Sequence, residues 1–456
     1  MTPFKERRLA AVAVALIALG TLVAAAGVIA QLPAIAFTGR WAALIGLVFH
    51  AVRRRSLTAW ILVAMLVGAE IGHDWPAVGQ SARLLSQIFL RLIKTIIAPL
   101  LFATLVVGIA GHSNLRQVGR MGLKSLLYFE VVTTVALFLG LAAINLTKAG
   151  VGVTPPEGLQ AAAGGVRGQK PTVADAILNA FPENIAKAVA EGHVLQIVVF
   201  SVLFGIGLAL VTESKRQPVL AFCEGLAEVM FKFTKLVMYF APIGVGAAIA
   251  YTVGHMGLGI LVNLFKLLAT LYVALIAFLL FVLLPVALFA RVPLRRFVRA
   301  IAEPVSIAFA TTSSEAALPL AMQRMEEFGV PRKIVAFVMP TGYSFNLDGS
   351  TLYLALASVF VAQAAGIHLS FGHQLGIVFT LMLTSKGVAG VPRATLVILL
   401  GTAASFGLPE WPILAIIGID ELMDMARTSV NVIGNCLATV VVARWEGEFK
   451  DAPVSP

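Results

Sequence analysis

Long apolar runs dominate the chain, and short stretches rich in Lys and Arg separate them. Leu9–Ile29, Ser125–Leu146, Val194–Val211 and Leu258–Ala290 approach or exceed the ~20 residues that span a bilayer as helix. A membrane barrel would instead show alternating segments of about 10 residues. That alternation is absent, so the pattern predicts an all-α polytopic membrane protein. Leu9–Ile29 follows Lys5, Arg7 and Arg8, as the apolar part of a signal peptide would, yet it exceeds the about 7–15 residues usual there. A second run, Pro33–Val52, ends in Arg53, Arg54 and Arg55. Residues 1–55 are therefore expected to form an extra transmembrane hairpin with both ends inside.

Basic clusters mark cytoplasmic loops, which gives the remaining runs a direction. Leu57–Ile71 runs outward to the polar turn His73–Asp74–Trp75, Ile88–Gly111 returns, and Lys124–Leu146 goes out again. Residues 148–190, with Pro155, Pro156, Gly164 and Gly165, read as an external loop. Val194–Val211 then leads in to Lys215 and Arg216, and Ala227–Val253 with Leu258–Ala290 forms a further pair ending at Arg291, Arg295, Arg296 and Arg299. Both termini, including the tail 448–456, are expected on the cytoplasmic side of the plasma (inner) membrane.

Beyond residue 300 the texture changes. Ala302–Met322 carries Thr311, Thr312, Ser313, Ser314, Glu315 and Pro319, and residues 371–407 carry Ser385–Lys386–Gly387 and Gly390–Val391–Pro392. Neither spans cleanly. Irregular backbone at membrane depth is tolerated where it is buried in protein or lines a wet cavity. Two such interruptions in one half point to the substrate site of a transporter, although two ordinary kinked helices would give the same pattern.

Composition removes other classes. The 456 residues are 59% hydrophobic and 12% charged, with mean hydropathy +0.93, against the roughly 25% charge that a soluble surface needs. The net charge of +11 sits at helix ends and is topological, so no nucleic-acid partner is expected. Cys223 and Cys436 lie in apolar runs with no disulfide or metal spacing, and the seven His show none either. Ser314 and Glu315 have no His nearby in sequence. The chain reads as no enzyme, with no cofactor.

The last run, Ile413–Trp445, holds Asp420, Asp424, Arg427, Thr428, Asn431 and Asn435. From Asp424 the spacings of 3, 4, 7 and 11 put these on one helical face. A charged group at mid-membrane costs about 2.5–3.5 kcal/mol even on mild scales and normally faces a functional interior. A self-neutralising Asp–Arg pair would explain two of the residues, but it does not require the Thr and two Asn that extend the stripe. Upstream, Thr341–Ser350 crowds Asn, Asp, Gly and Ser into an apolar run, which favours local unwinding that frees carbonyls for a cation or substrate.

Four motifs here resemble the glutamate transporter family, also called dicarboxylate/amino acid:cation symporters, and most of all its bacterial proton/glutamate members. They are SSEAALP (Ser313–Pro319), GYSFNLDGSTLY (Gly342–Tyr353), SKGVAGVP (Ser385–Pro392) and DMARTSVNVIGN (Asp424–Asn435), in the family's order and spacing. The resemblance covers about 56–447. It implies eight core helices, two re-entrant hairpins near 300–325 and 371–407, and a homotrimer working by an elevator-type mechanism. The scaffold would be about 56–111 and 192–253, and the transport domain about 125–147 and 256–446.

The resemblance also implies roles. Ser313 and Ser314 would bind the substrate α-carboxylate, with Ser350 nearby, and Gly390 and Val391 would gate it. Asp424 would take the α-ammonium, with Thr428 and Asn431 completing that shell, and Arg427 the side-chain carboxylate. An Asp at 424 argues against plain C4-dicarboxylates, and an Arg at 427 argues against neutral amino acids. Sodium-coupled members carry an Asp where Asn435 stands, so the expected coupling ion is a proton. Glu130, beside Thr133 in an apolar helix, is the expected carrier, with a carboxylate satisfied by Lys124 as the other reading. Gly342, Asn346, Asp348, Asn431 and Asn435 would keep a residual cation site, so sodium coupling stays open, as does a C4-dicarboxylate substrate. An anion channel or receptor on the same scaffold is the remote alternative. Thr312 and Met425 replace a basic residue that many relatives carry, and Arg393 and Thr395 lie where glycines are frequent.

Overall fold

The computed structural model describes residues 3–54, 56–110, 115–153, 181–191, 194–385 and 394–450. Among them there are helices and no strands. In chain order these are α1 (Pro3–Ile29), α2 (Pro33–Arg54), α3 (Leu57–Asp74), α4 (Pro76–Ser81), α5 (Arg83–Ala110) and α6 (Leu115–Thr147). After α7 (Ile185–Glu191) come α8 (Val194–Leu210), α9 (Glu213–Met238) and α10 (Ala241–Met256). Next, α11 (Gly259–Phe278) passes through a π-turn (Leu279–Leu283) into α12 (Leu284–Phe289). The remainder is α13 (Leu294–Thr311), α14 (Ser314–Phe328), α15 (Arg332–Phe345), α16 (Asp348–Ala364), α17 (Phe371–Thr384), α18 (Ala394–Ser405) and α19 (Trp411–Trp445). Most of the predicted external loop lies outside the described residues.

Eight spans among the described residues are long and apolar enough to cross a membrane, or nine if α9 and α10 count together. The run expected as one helix, Ala227–Val253, is in fact broken. It stops at Met238 and resumes at Ala241. Pro242, which lacks an N–H and fixes φ, starts the second helix at its first turn, where proline is tolerated.

The chain divides into two compact units, one of residues 1–90 and 238–258, the other of 91–237 and 259–456. In the first unit, α1 and α2 lie side by side at close range. A methyl on Gly39 would strike the backbone of Ala24, the close approach that small residues permit between membrane helices. Arg40 on α2 pairs with Glu70 (2.8 Å) and Asp74 (2.6 Å) of α3, and Trp41 Nε1 donates to Asp74 at 2.8 Å. Rings of Phe37, Trp41 and Trp75 close over this cluster. The hairpin is therefore keyed to α3 by charge, and the expected turn residue Asp74 is one of its anchors.

In the second unit α19 is the central post. Helices α6, α11, α13, α14, α15 and α16 all pack against it. Nearly every side chain of α16 and α19 is buried, the polar ones of α19 included. The segment after α19 then straps this unit. Lys124 of α6 binds Glu446 (2.6 Å) and the Trp445 carbonyl, and Lys333 of α15 binds Glu448 (2.7 Å). The Lys450 N–H donates to the Gly329 carbonyl at 3.0 Å. Phe449 meets the Phe328 ring and is covered by Arg444.

Candidate functional site

Three local features bring the polar residues to α19. The first is the helix break between α15 and α16. Asn346 and Leu347 leave helical geometry, so the unwinding expected over 341–350 falls on these two residues. The break is seated by Asn431 of α19. Its side-chain oxygen accepts from the Gly349 N–H (2.8 Å) and Ser350 N–H (3.3 Å), and its Nδ2 donates to Ser350 Oγ at 2.9 Å. Backbone donors at the start of α16, which no helix carbonyl can satisfy, are thus met by a side chain from another helix.

The second feature is the first hairpin. α13 ends at Thr311, Thr312 adopts the left-handed conformation (φ 51°), and Ser313 is extended. Ser313 Oγ accepts from the Ala316 N–H at 3.3 Å, capping α14. Ser314 is buried. The tip therefore offers hydroxyls and the N–H groups of a helix N-terminus, a combination suited to a carboxylate. The tip of the second hairpin, with Gly390, Val391 and Arg393, lies outside the described residues. Its flanks Ser385 and Thr395 are buried.

The third feature is the charged face of α19. Arg427 is 0% exposed. Its Nε donates to Asp424 Oδ1 at 2.9 Å, and Nη1 and Nη2 reach both oxygens of Asp420 at 2.8 and 3.3 Å. The guanidinium lies 4.3 Å from the Tyr353 ring centroid, and Thr428 donates to Asp424 Oδ1 at 2.8 Å. Asp420, expected only as a member of the stripe, is the bidentate partner of Arg427. The i, i+7 spacing of Asp420 and Arg427 was the available signal, since it stacks them two turns apart on one face. Three of five guanidinium N–H donors face the aspartates. Two carboxyl groups face one guanidinium, an excess of acidic groups that suits an ammonium group.

A fourth cluster of amides and a carboxylate lies further along α19. Asn346 Nδ2 is 3.4 Å from both Asp348 Oδ2 and Asn435 Oδ1, and all three residues are 0% exposed. Among the described residues, Asn346 Oδ1 and Asn435 Nδ2 are buried without a hydrogen-bond partner. Two glycines make this contact possible. A methyl on Gly342 would collide with Asn435 Oδ1, and one on Gly434 would collide with Asp348 Oδ2. Hard oxygen donors with one carboxylate can receive a small cation.

Glu130 differs from its expected setting. It is half-buried rather than buried, with Thr134 Oγ1 3.5 Å from Oε1. Lys124, its other expected neighbour, gives its ammonium to Glu446 and Trp445 instead. A helix side chain covers only its own face, and this one is turned partly away from the packed interior. Thr133 is buried and donates to the Phe129 carbonyl at 2.6 Å.

The model of the sodium:dicarboxylate symporter family matches residues 57–445. The chain belongs to this family. The symporter is 42% identical over 404 residues to the proton/sodium-glutamate symport protein of Bacillus subtilis, covering 87% of this chain and 94% of that one. It is 42% identical over 418 residues to the proton/glutamate-aspartate symporter of Escherichia coli (86% and 93% covered). A C4-dicarboxylate transport protein of Anaeromyxobacter sp. is 43% identical over 403 residues (87% and 91% covered). The chain is thus a multi-pass transporter, not an enzyme. The family match starts where α3 begins, so α1 and α2 lie outside it.

Proposed function

We propose that the symporter imports glutamate or aspartate together with protons. The observation that carries this reading is the wholly buried Asp420–Asp424–Arg427 trio on α19. Asp424, held by Thr428 and Arg427, is the acceptor for the substrate α-ammonium. Arg427 provides the planar fork for the distal carboxylate, which exchanges with Asp420 as substrate enters. The buried Ser314 and the cap Ser313 offer donors to the α-carboxylate. The names of the Bacillus and Escherichia relatives support an acidic amino acid, and the buried Asp424 weighs against a substrate lacking an ammonium.

Proton coupling rests on the amide at Asn435. With a single carboxylate, Asp348, the cluster holds a sodium ion less firmly than two would. Sodium coupling is the second reading, favoured by the buried Asn346 Oδ1, which has no hydrogen-bond partner among the described residues. Within the proposal, residues 56–111 and 192–253 form a scaffold of a homotrimer in the inner membrane. Residues 125–147 and 256–446 carry the substrate across as an elevator, and both termini face the cytoplasm.

Reconstitution in liposomes tests the whole reading. Glutamate, aspartate and succinate uptake are measured under separate pH, sodium and voltage gradients. Acidic amino acids driven by a pH gradient are expected. Sodium-dependent, pH-indifferent uptake would overturn the proton assignment, and succinate uptake without glutamate uptake would overturn the substrate.

A further inference from the structure

Other basic side chains of this unit are engaged within the protein. Arg296 donates to the Phe328 carbonyl at 2.8 Å and lies over that ring. Arg324 pairs with Glu303 and Glu327, Lys333 with Glu448 and Lys124 with Glu446. Arg332 lies 4.0 Å from Glu326.

Arg291, Arg295 and Arg299 are different. All three are exposed, and among the described residues their side chains have no hydrogen bond or ion pair. No Asp or Glu lies between Glu228 and Glu303 in the sequence. Arg295 and Arg299 stand one turn apart on α13 and so share a face. The apolar side chains around them are also exposed. Val298 is 61% exposed, Leu288 57% and Phe289 89%. Topological placement requires positive charge at a helix end, but it does not require that charge to stay unpaired beside an apolar surface.

We propose that Arg291, Arg295 and Arg299 form a docking surface for the headgroup of an anionic phospholipid, with Leu288, Phe289 and Val298 against its acyl chains. Guanidinium forks bind phosphate oxygens in pairs, and long Arg stems lie along apolar surface while their heads stay at the interface. Basic side chains just outside the hydrocarbon attract anionic lipid. The surface lies at the root of the hairpin α13–α14, whose tip holds Ser313 and Ser314. A bound lipid would therefore hold that root at the membrane surface. The proposal does not depend on the cargo or the coupling ion.

The test places a bimane fluorophore on Val298→Cys in the full chain. Both native cysteines, Cys223 and Cys436, are buried and resist the label. The protein is reconstituted in phosphatidylcholine vesicles containing a minor fraction of either nitroxide-labelled phosphatidylglycerol or nitroxide-labelled phosphatidylcholine. Quenching ~2-fold stronger with the anionic lipid is expected, shrinking as salt screens the charge. In R291Q/R295Q/R299Q both lipids should quench equally, with insertion checked by an impermeant maleimide on the same cysteine in a sample not labelled with bimane. Should the triple variant insert wrongly, R295Q and R299Q singly should each lose part of the excess. Equal quenching by both lipids in the parent, or an undiminished excess in correctly inserted variants, would overturn the proposal.

Discussion

Arg427 is the side chain on which most else depends. A guanidinium at zero exposure is tolerable because two carboxylates and a ring face surround it. Removing one partner of a buried pair costs about 3–5 kcal/mol, mostly by leaving the other uncompensated. Asp420→Ala is therefore expected to lower the unfolding midpoint of the purified protein clearly, and an unchanged midpoint would show that Asp420 does not hold Arg427. Arg427→Ala should abolish high-affinity glutamate uptake while admitting neutral amino acids. Glutamate affinity equal to that of the parent would remove Arg427 from the substrate site. Asn435→Asp tests the ion cluster, because it puts a second carboxylate within reach of Asn346 and Asp348. Uptake by that variant should become sodium-stimulated, and indifference to sodium would deny the cluster a coupling role.

At the scale of elements, the breaks matter more than the helices. The α15–α16 break works because Asn431 satisfies its freed, buried N–H groups and because Gly342 and Gly434 let side chains of the facing element touch backbone. Gly342→Ala inserts a methyl into Asn435, an overpacking fault of about 1–3 kcal/mol. Substrate uptake should fall with it while α15 stays helical; full activity would mean that the cluster tolerates displacement. The strap after α19 is the other tie. Phe449→Ala removes the ring between Phe328 and Arg444, so hydrogen exchange over residues 326–331 should accelerate. Unchanged exchange there would show that the hairpin base needs no strap. Only one of these elements was legible. The Gly, Asn and Asp of 342–349 announce a break, whereas nothing in Glu446–Lys450 announces a strap. Its partners are separated from it by more than a hundred residues, apart from those on α19.

For the molecule as a whole, the two kinds of information divide cleanly. Sequence alone determined the all-α membrane class, because too little polar surface exists for any other solvent. It also set the extra N-terminal hairpin, the interruption of the C-terminal half and the polar stripe of α19, since each is a matter of local composition or of period along one helix. Which groups pair was decided by the tertiary structure. Asp420 faces the Arg427 fork, Lys124 serves Glu446 rather than Glu130, and Arg40 keys the hairpin to Glu70 and Asp74. The helix break at Tyr239–Phe240 and the half-exposure of Glu130 were decided there too. A charge chooses its partner by distance and desolvation, and those exist only once helices far apart in sequence have packed.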